Sequence, residues 1–251
     1  MLELHQLSRH FGGVKAVDQL ELSVRPGEIL GLIGPNGSGK STTVNLITGV
    51  YQPTAGSVRF KGQDISALQP HQRTALGLAR TFQNIRLFSH LTVWQNLWAA
   101  RVVRESGWAG FRQRWLSGAA AAREQAEELL VFGGLAHKRD MLAGNLAFGE
   151  QRRLELIRAA ASGAELLLLD EPAAGMNAEE IQDLDHRIRS LREQGHTILL
   201  IEHHMELVME VCDRVAVLNF GRKIAEGTPA EVQQDAQVRA AYLGTEEPAA
   251  A

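Results

Sequence analysis

Residues 28–42 read EILGLIGPNGSGKST, and the fold is decided there. The opening residues form an apolar run that suits a buried strand. The nine that follow, Gly34, Pro35, Asn36, Gly37, Ser38, Gly39, Lys40, Ser41 and Thr42, fit G-x-x-x-x-G-K-[ST]. The glycines let backbone N–H groups curl around phosphate oxygens. A helix predicted from about Lys40 to Thr48 points its positive end at the same anion. In such a loop Lys40 reaches the β- and γ-phosphates, and the Ser41 hydroxyl binds Mg²⁺. The pattern therefore predicts a nucleoside triphosphate site between a strand and a helix.

Farther along, residues 166–171 read LLLLDE. Four apolar residues ending in two acids describe a buried strand that carries Asp170 to the carboxyl edge of a sheet, where it supports a Mg²⁺ shell. Glu171 is then placed to act as general base toward an attacking water. The adjacent Asp-Glu points to an ATPase rather than a small GTPase. A guanine-reading N-K-x-D is missing, because His137 stands where Asn would be in His137-Lys138-Arg139-Asp140.

Around these two motifs the chain alternates strand and helix patterns. LELHQL, VDQLELSV, SVRFKG, HTILLIE and DRVAVLNFG read as strands; AEEIQDLDHRIRSLREQ and MELVMEVC read as helices. From about Phe88 to Ala161 the pattern is helical. The expected fold is α/β: one P-loop ATPase domain over 1–245 with a mixed sheet. Its core covers about 1–87 and 162–245, a helical subdomain is inserted at about 88–161, and 246–251 form a disordered tail.

The 251 residues are 45% hydrophobic and 22% charged, which suits a globular core. The net charge of −3 argues against nucleic acid as a partner. With Cys212 as the only cysteine, no internal disulfide forms. MLELHQLSRHF carries acid and imidazole where a secretory signal needs an apolar block, and no apolar run has the ~18 residues of a membrane span. Work at a membrane is therefore expected to need partners.

Further stretches resemble the ABC ATPase family over nearly the whole chain. Gln83 in RTFQN resembles the Q-loop glutamine that touches Mg²⁺ and water and whose loop meets the membrane subunits. NLAFGEQRR, with Ala147, Phe148, Gly149 and Glu150, resembles the signature loop that holds the γ-phosphate of ATP bound by an opposite subunit. Residues 174–177, AGMN, resemble the D-loop. His203 in LLIEHHM resembles the switch histidine that keeps water and Glu171 in line. Phe11 in RHFGG resembles the aromatic that stacks on adenine, with Val17 beside it.

RTFQNIRLFSHLTVWQNL, LLLLDEPAAGMNAEE and VRAAYLG are similar to the ATPase subunit of branched-chain amino acid importers. That resemblance implies two permeases and a second ATPase subunit, paralogue or self, in a head-to-tail dimer. It also implies a periplasmic binding protein and a place on the cytoplasmic face of a bacterial inner membrane. Relatives that carry urea, amides or other amino acids, or that export lipopolysaccharide, share much of the pattern. A DNA-repair ATPase is the alternative of another class, but it would need long coiled-coil arms between phosphate loop and signature. Ala147, Phe148, Glu150, Asn177 and His204 depart from the usual family residues. On paper Glu150 adds negative charge to the signature, and Arg152 and Arg153 either offset it or form a solvated basic turn of the helix. All four tryptophans lie between Trp94 and Trp115, either as the core of the helical insert or as a patch for permease or lipid.

Overall fold

The computed structural model describes residues 1–102 and 119–243. The tail at 246–251 and the Trp108, Phe111, Arg112, Arg114 and Trp115 part of the tryptophan segment lie outside the described residues. In chain order the strands are Leu2–Phe11 (β1), Val14–Val24 (β2), Ile29–Ile33 (β3), Ala55–Phe60 (β4), Gln63–Asp64 (β5), Leu78–Arg80 (β6), Leu166–Asp170 (β7), Thr197–Ile201 (β8), Arg214–Asn219 (β9) and Arg222–Gly227 (β10). They form two sheets. An antiparallel one runs β2-β1-β4-β5, and a larger one runs β10-β9-β3-β8-β7-β6. In the larger sheet all neighbours are parallel except β10, which turns back on β9 at the edge.

The apolar runs explain this arrangement. Every residue of β3, β7 and β8 is buried, as expected for parallel strands covered on both faces. Because side chains alternate along a strand, each run serves two cores. Leu30, Leu32, Leu166, Leu168, Leu199 and Ile201 pack with Val44, Leu46 and Ile47 of the helix Lys40–Thr48 (α1) and with the antiparallel sheet. Ile29, Ile33, Leu167, Leu169, Ile198 and Leu200 face the other way. There they meet Leu154 and Ile157 of the helix Phe148–Ala161, and Leu184 and Ile188 of the helix Ala178–Glu193.

Register then places the chemistry. Ile29 pairs with Ile198 and Leu32 with Ile201. Asp170 also pairs with Ile201, and Arg80 pairs with Leu168. The phosphate loop after β3, the acid pair closing β7, the histidines after β8 and Gln83 after β6 therefore all leave the same carboxyl edge. Between Arg80 and Leu166, the described residues contribute helices, turns and one isolated bridge, Thr92 to Leu142. The short strand β6 has no sequence signature of its own, yet it fixes where Gln83 emerges.

Candidate active site

The predicted helix after the phosphate loop spans Lys40–Thr48 as expected, and its first cap, Gly39, has φ 105°. A Cβ at Gly39 would lie 2.5 Å from the Ala16 carbonyl oxygen, and one at Gly34 would lie 2.2 Å from that of Leu218. Glycine is required at both positions by backbone contact as well as by conformation. The β9–β10 turn supports the loop from behind: Gly221 N donates to Ser38 O at 2.9 Å. Lys40 Nζ donates to the carbonyls of Gly34 at 2.6 Å and Pro35 at 3.1 Å. Burial holds its ammonium below the ordinary lysine range, while Glu171 and Asp170 pull it back up. Ser38 Oγ is buried without a protein partner.

The open cavity in front of this loop, about 300 Å³, is lined by residues 36–42 and by Glu171. Its apolar lip is Val14 and Phe220, which are 66% and 84% exposed. Phe11, opposite Val14 in the β1–β2 pairing, is not in the lining. Its ring lies against Tyr51, with centroids 5.3 Å apart, and under the Arg9 guanidinium. Val17 departs from expectation: it is fully buried beneath the antiparallel sheet and has no surface left for a base. The exposed valine of that hairpin is Val14, which lines the cavity together with Lys15 and Ala16.

Three polar side chains converge behind the cavity. Gln83 Nε2 donates to Glu171 Oε2 at 2.8 Å, and His203 Nδ1 stands 3.8 Å from the same oxygen. Glu171 has φ 49°, the left-handed region that side chains rarely adopt. Asp170 is 5% exposed and accepts from Arg80 Nη2 at 2.7 Å. Arg80 also donates to Asn45 Oδ1 on α1 at 2.7 Å. His204 heads the next helix, with its ring 4.9 Å from that of His203. Neither Arg80 nor the buried Glu202 stood out in the sequence; the signal for Glu202 was an apolar strand ending in an acid, the same pattern as at Asp170.

The signature residues lie apart from this cavity. Phe148 lines a neighbouring open space with Gln83, Gln151, Arg152, Ala174 and Gly175. Glu150 does not add a free charge, which corrects the sequence expectation. Its carboxylate accepts from Lys138 Nζ at 2.6 and 2.8 Å and from Ala147 N at 3.1 Å. The Lys138 contact is the chief cause that holds it below the usual carboxylate range. Arg153 stands 3.9 Å away, and Arg152 is occupied elsewhere. Arg152 donates to the carbonyls of Phe82 at 3.0 Å and Gln83 at 2.5 Å, so the signature helix grips the Q loop. Asn177 caps the helix Ala178–Glu193: its Oδ1 accepts from Glu180 N, and its N donates to Glu180 Oε2, each at 3.0 Å. An Asn at this D-loop position is thereby explained.

Comparison with known proteins agrees with this geometry. Residues 17–174 match the "ABC transporter" family, and residues 222–248 match "Branched-chain amino acid ATP-binding cassette transporter". The high-affinity branched-chain amino acid transport ATP-binding protein LivG of Salmonella typhimurium is 42% identical, over 97% of this chain and 98% of its own. The lipopolysaccharide export system ATP-binding protein LptB of Haemophilus influenzae is 36% identical, over 97% of each. The crystal structure of the ADP conformation of an ATP-binding cassette of an ABC transporter superposes with a TM-score of 0.85. It is 32% identical, over 97% of this chain and 98% of that one. With its phosphate loop, acid pair and signature helix on one frame, the chain belongs to the ABC transporter family as an ATP-hydrolysing nucleotide-binding cassette.

Proposed function

We propose that this chain energises import of branched-chain amino acids. It would sit on the cytoplasmic face of a bacterial inner membrane beside two permeases and a second cassette, head to tail, and be served by a periplasmic binding protein. The observation that carries the solute is the near full-length identity to LivG, six points above that to LptB (42 less 36), joined by the family match at residues 222–248. The permeases are assigned to the groove of about 260 Å³ where Val50, Phe82, Ala100 and Arg158 meet beside the Q loop. The division into a core of about 1–87 and 162–245 and a helical subdomain of about 88–161 suits that groove, which lies between the two parts.

ATP is assigned to the cavity of residues 34–42, its adenine at the β1–β2 hairpin near Phe11, Val14 and Phe220. Lys40 exchanges two loop carbonyls for phosphate oxygens, and Ser38 Oγ gains a partner. Ser41, Asp170 and Gln83 are assigned to Mg²⁺. Among the described residues no three His, Cys, Asp or Glu side chains cluster to hold a metal. A hydroxyl, a carboxylate and an amide suit an ion that arrives with the phosphates. A Mg²⁺ ion held by these residues would supply positive charge to offset that of the transferred phosphoryl group. Glu171 accepts the proton of the attacking water, held by Gln83 and by His203. Ala147, Phe148, Gly149 and Glu150 face the ATP of the opposite cassette.

Uptake of labelled leucine, isoleucine and valine by a strain lacking the gene tests the reading. Uptake should fall and return with the wild-type gene but not with Lys40→Ala. Unchanged uptake, with lipopolysaccharide retained in the inner membrane instead, would assign the chain to export.

A further inference from the structure

We infer that Glu202 is a positioning residue whose buried carboxylate ties the turn carrying Glu171 to the turn carrying His203 and so sets their separation. This rests on the proposal that Glu171 and His203 act together on the attacking water.

Glu202 follows β8 and is 0% exposed. Its Oε1 accepts from Ala173 N at 2.8 Å, across to the acid turn. Its Oε2 accepts from His203 N at 2.9 Å and His204 N at 3.2 Å, within its own turn. Three backbone donors around one side chain call for a group that only accepts, and an ionised carboxylate is that group. The acid turn is held by two successive residues of the β8 end, because Glu171 N also donates to Ile201 O at 2.9 Å. Glu171 needs such support: its left-handed backbone persists only where the surroundings over-determine it. The length of the side chain matters as well. A shorter acid would still reach the adjacent His203 and His204 amides, but not Ala173, 29 residues away in sequence. Glu202 therefore does more than cap a turn, since it holds two catalytic turns in register.

The test measures kcat, KM, nucleotide affinity and melting temperature of the full-length chain as wild type, Glu202→Gln and Glu202→Asp. Glu171→Gln and His203→Ala serve as references. The Gln variant keeps the shape but turns an N–H₂ group toward one buried donor. It should lower kcat by about 10–100-fold, the scale of a misplacement near 1 Å, with nucleotide affinity little changed and the melting temperature lowered by only a few degrees. The Asp variant keeps the charge and the local contacts and loses the cross-link, so it should still lose about 3–10-fold in kcat. Wild-type kcat in both variants, with the two references inactive, would overturn the inference. So would a fold-loss of nucleotide affinity as large as the fold-loss of kcat, which would mark general support of the fold. Active reference proteins would instead overturn the catalytic assignment itself. If Glu202→Gln does not fold, the Asp variant decides alone.

Discussion

Lys40 and Glu171 both line the cavity, and single substitutions test the separate roles proposed for them. Lys40 directs its ammonium at two carbonyls of its own loop. Removing it leaves the loop's glycines and backbone contacts intact. Lys40→Ala should keep its melting temperature within a few degrees while ATP binding and turnover collapse, because a cation facing two phosphates contributes several kcal/mol. Near-normal turnover in a folded variant would refute the phosphate-loop assignment. Glu171→Gln is the opposite case: it should bind Mg-ATP and retain it, with turnover lowered ~10²–10⁴-fold, the usual worth of a general base. A loss below tenfold in single-turnover hydrolysis would exclude that role. His203→Ala should behave like Glu171→Gln and His204→Ala should be mild. The geometry sets this order, since only His203 approaches Glu171, and a reversed order would reassign the switch histidine.

The helix Phe148–Ala161 does several tasks at once, and most were invisible in its sequence. Its apolar period and its start at the signature residues were legible, as were β3, β7 and β8, because periodicity and motif spacing are local properties. The partners of its charges are not local. Arg152 and Glu155 are 7% and 2% exposed and form a pair at 3.4 Å; Glu155 also accepts from Phe82 N and Arg86 N at 3.4 and 3.3 Å. Burial is the main reason the Glu155 carboxyl is pushed above its ordinary range. Breaking such a buried pair leaves an uncompensated charge and costs about 3–5 kcal/mol, whereas replacing both partners by apolar residues is often nearly neutral. Urea unfolding should therefore show Arg152→Met strongly destabilised and Arg152→Met/Glu155→Met largely recovered. A double variant worse than the single one would show that the Q-loop carbonyls, not the ion pair, set the stability. Lys138 and Glu150 at the same helix's start add a pH signature. Glu150 is held low, so their stabilisation is present above the unfolded carboxyl value and fades as pH falls through the folded one. Lys138→Met should lower the melting temperature at pH 7 and match wild type in strong acid; an equal deficit at both would mean packing rather than charge. The adenine side was the least legible part, since Val17 and Val14 differ only in which face of β2 they occupy, and bulges in the β1–β2 pairing reset that count.

At the scale of the whole molecule the chain offers two unlike faces. One is the cavity of the phosphate loop, to which residues Gly34 to Thr42 with Gln83, Asp170, Glu171 and His203 are proposed to bring the nucleotide chemistry. The other, the signature, starts its helix at Ala147, which has no side-chain oxygen for the helix or for a partner's phosphate. Glu150 is already paired with Lys138 and supplies half of a capping box by accepting from Ala147 N, so it leaves no free charge on this face. Relative to a serine at this position, one hydroxyl is missing. A serine at 147 has two lone pairs and one proton. It can accept a backbone N–H of its own helix and donate to a phosphate oxygen of the opposite cassette in the same arrangement. Ala147→Ser should then have two separable effects. Capping raises stability by about 1 kcal/mol at any protein concentration. The second hydrogen bond, ~0.5–1.5 kcal/mol, acts only between two cassettes and should raise ATPase about 2–10-fold in the concentration range where pairing occurs. Wild type alone is expected to be slow, with specific activity rising with concentration and rising further with its permeases and second cassette. Rate measured against concentration for both proteins, beside their melting curves, decides the matter. A rise in melting temperature without a rise in rate would leave serine a helix cap only, and a wild type already fast at low concentration would show that the signature as it stands is fully competent.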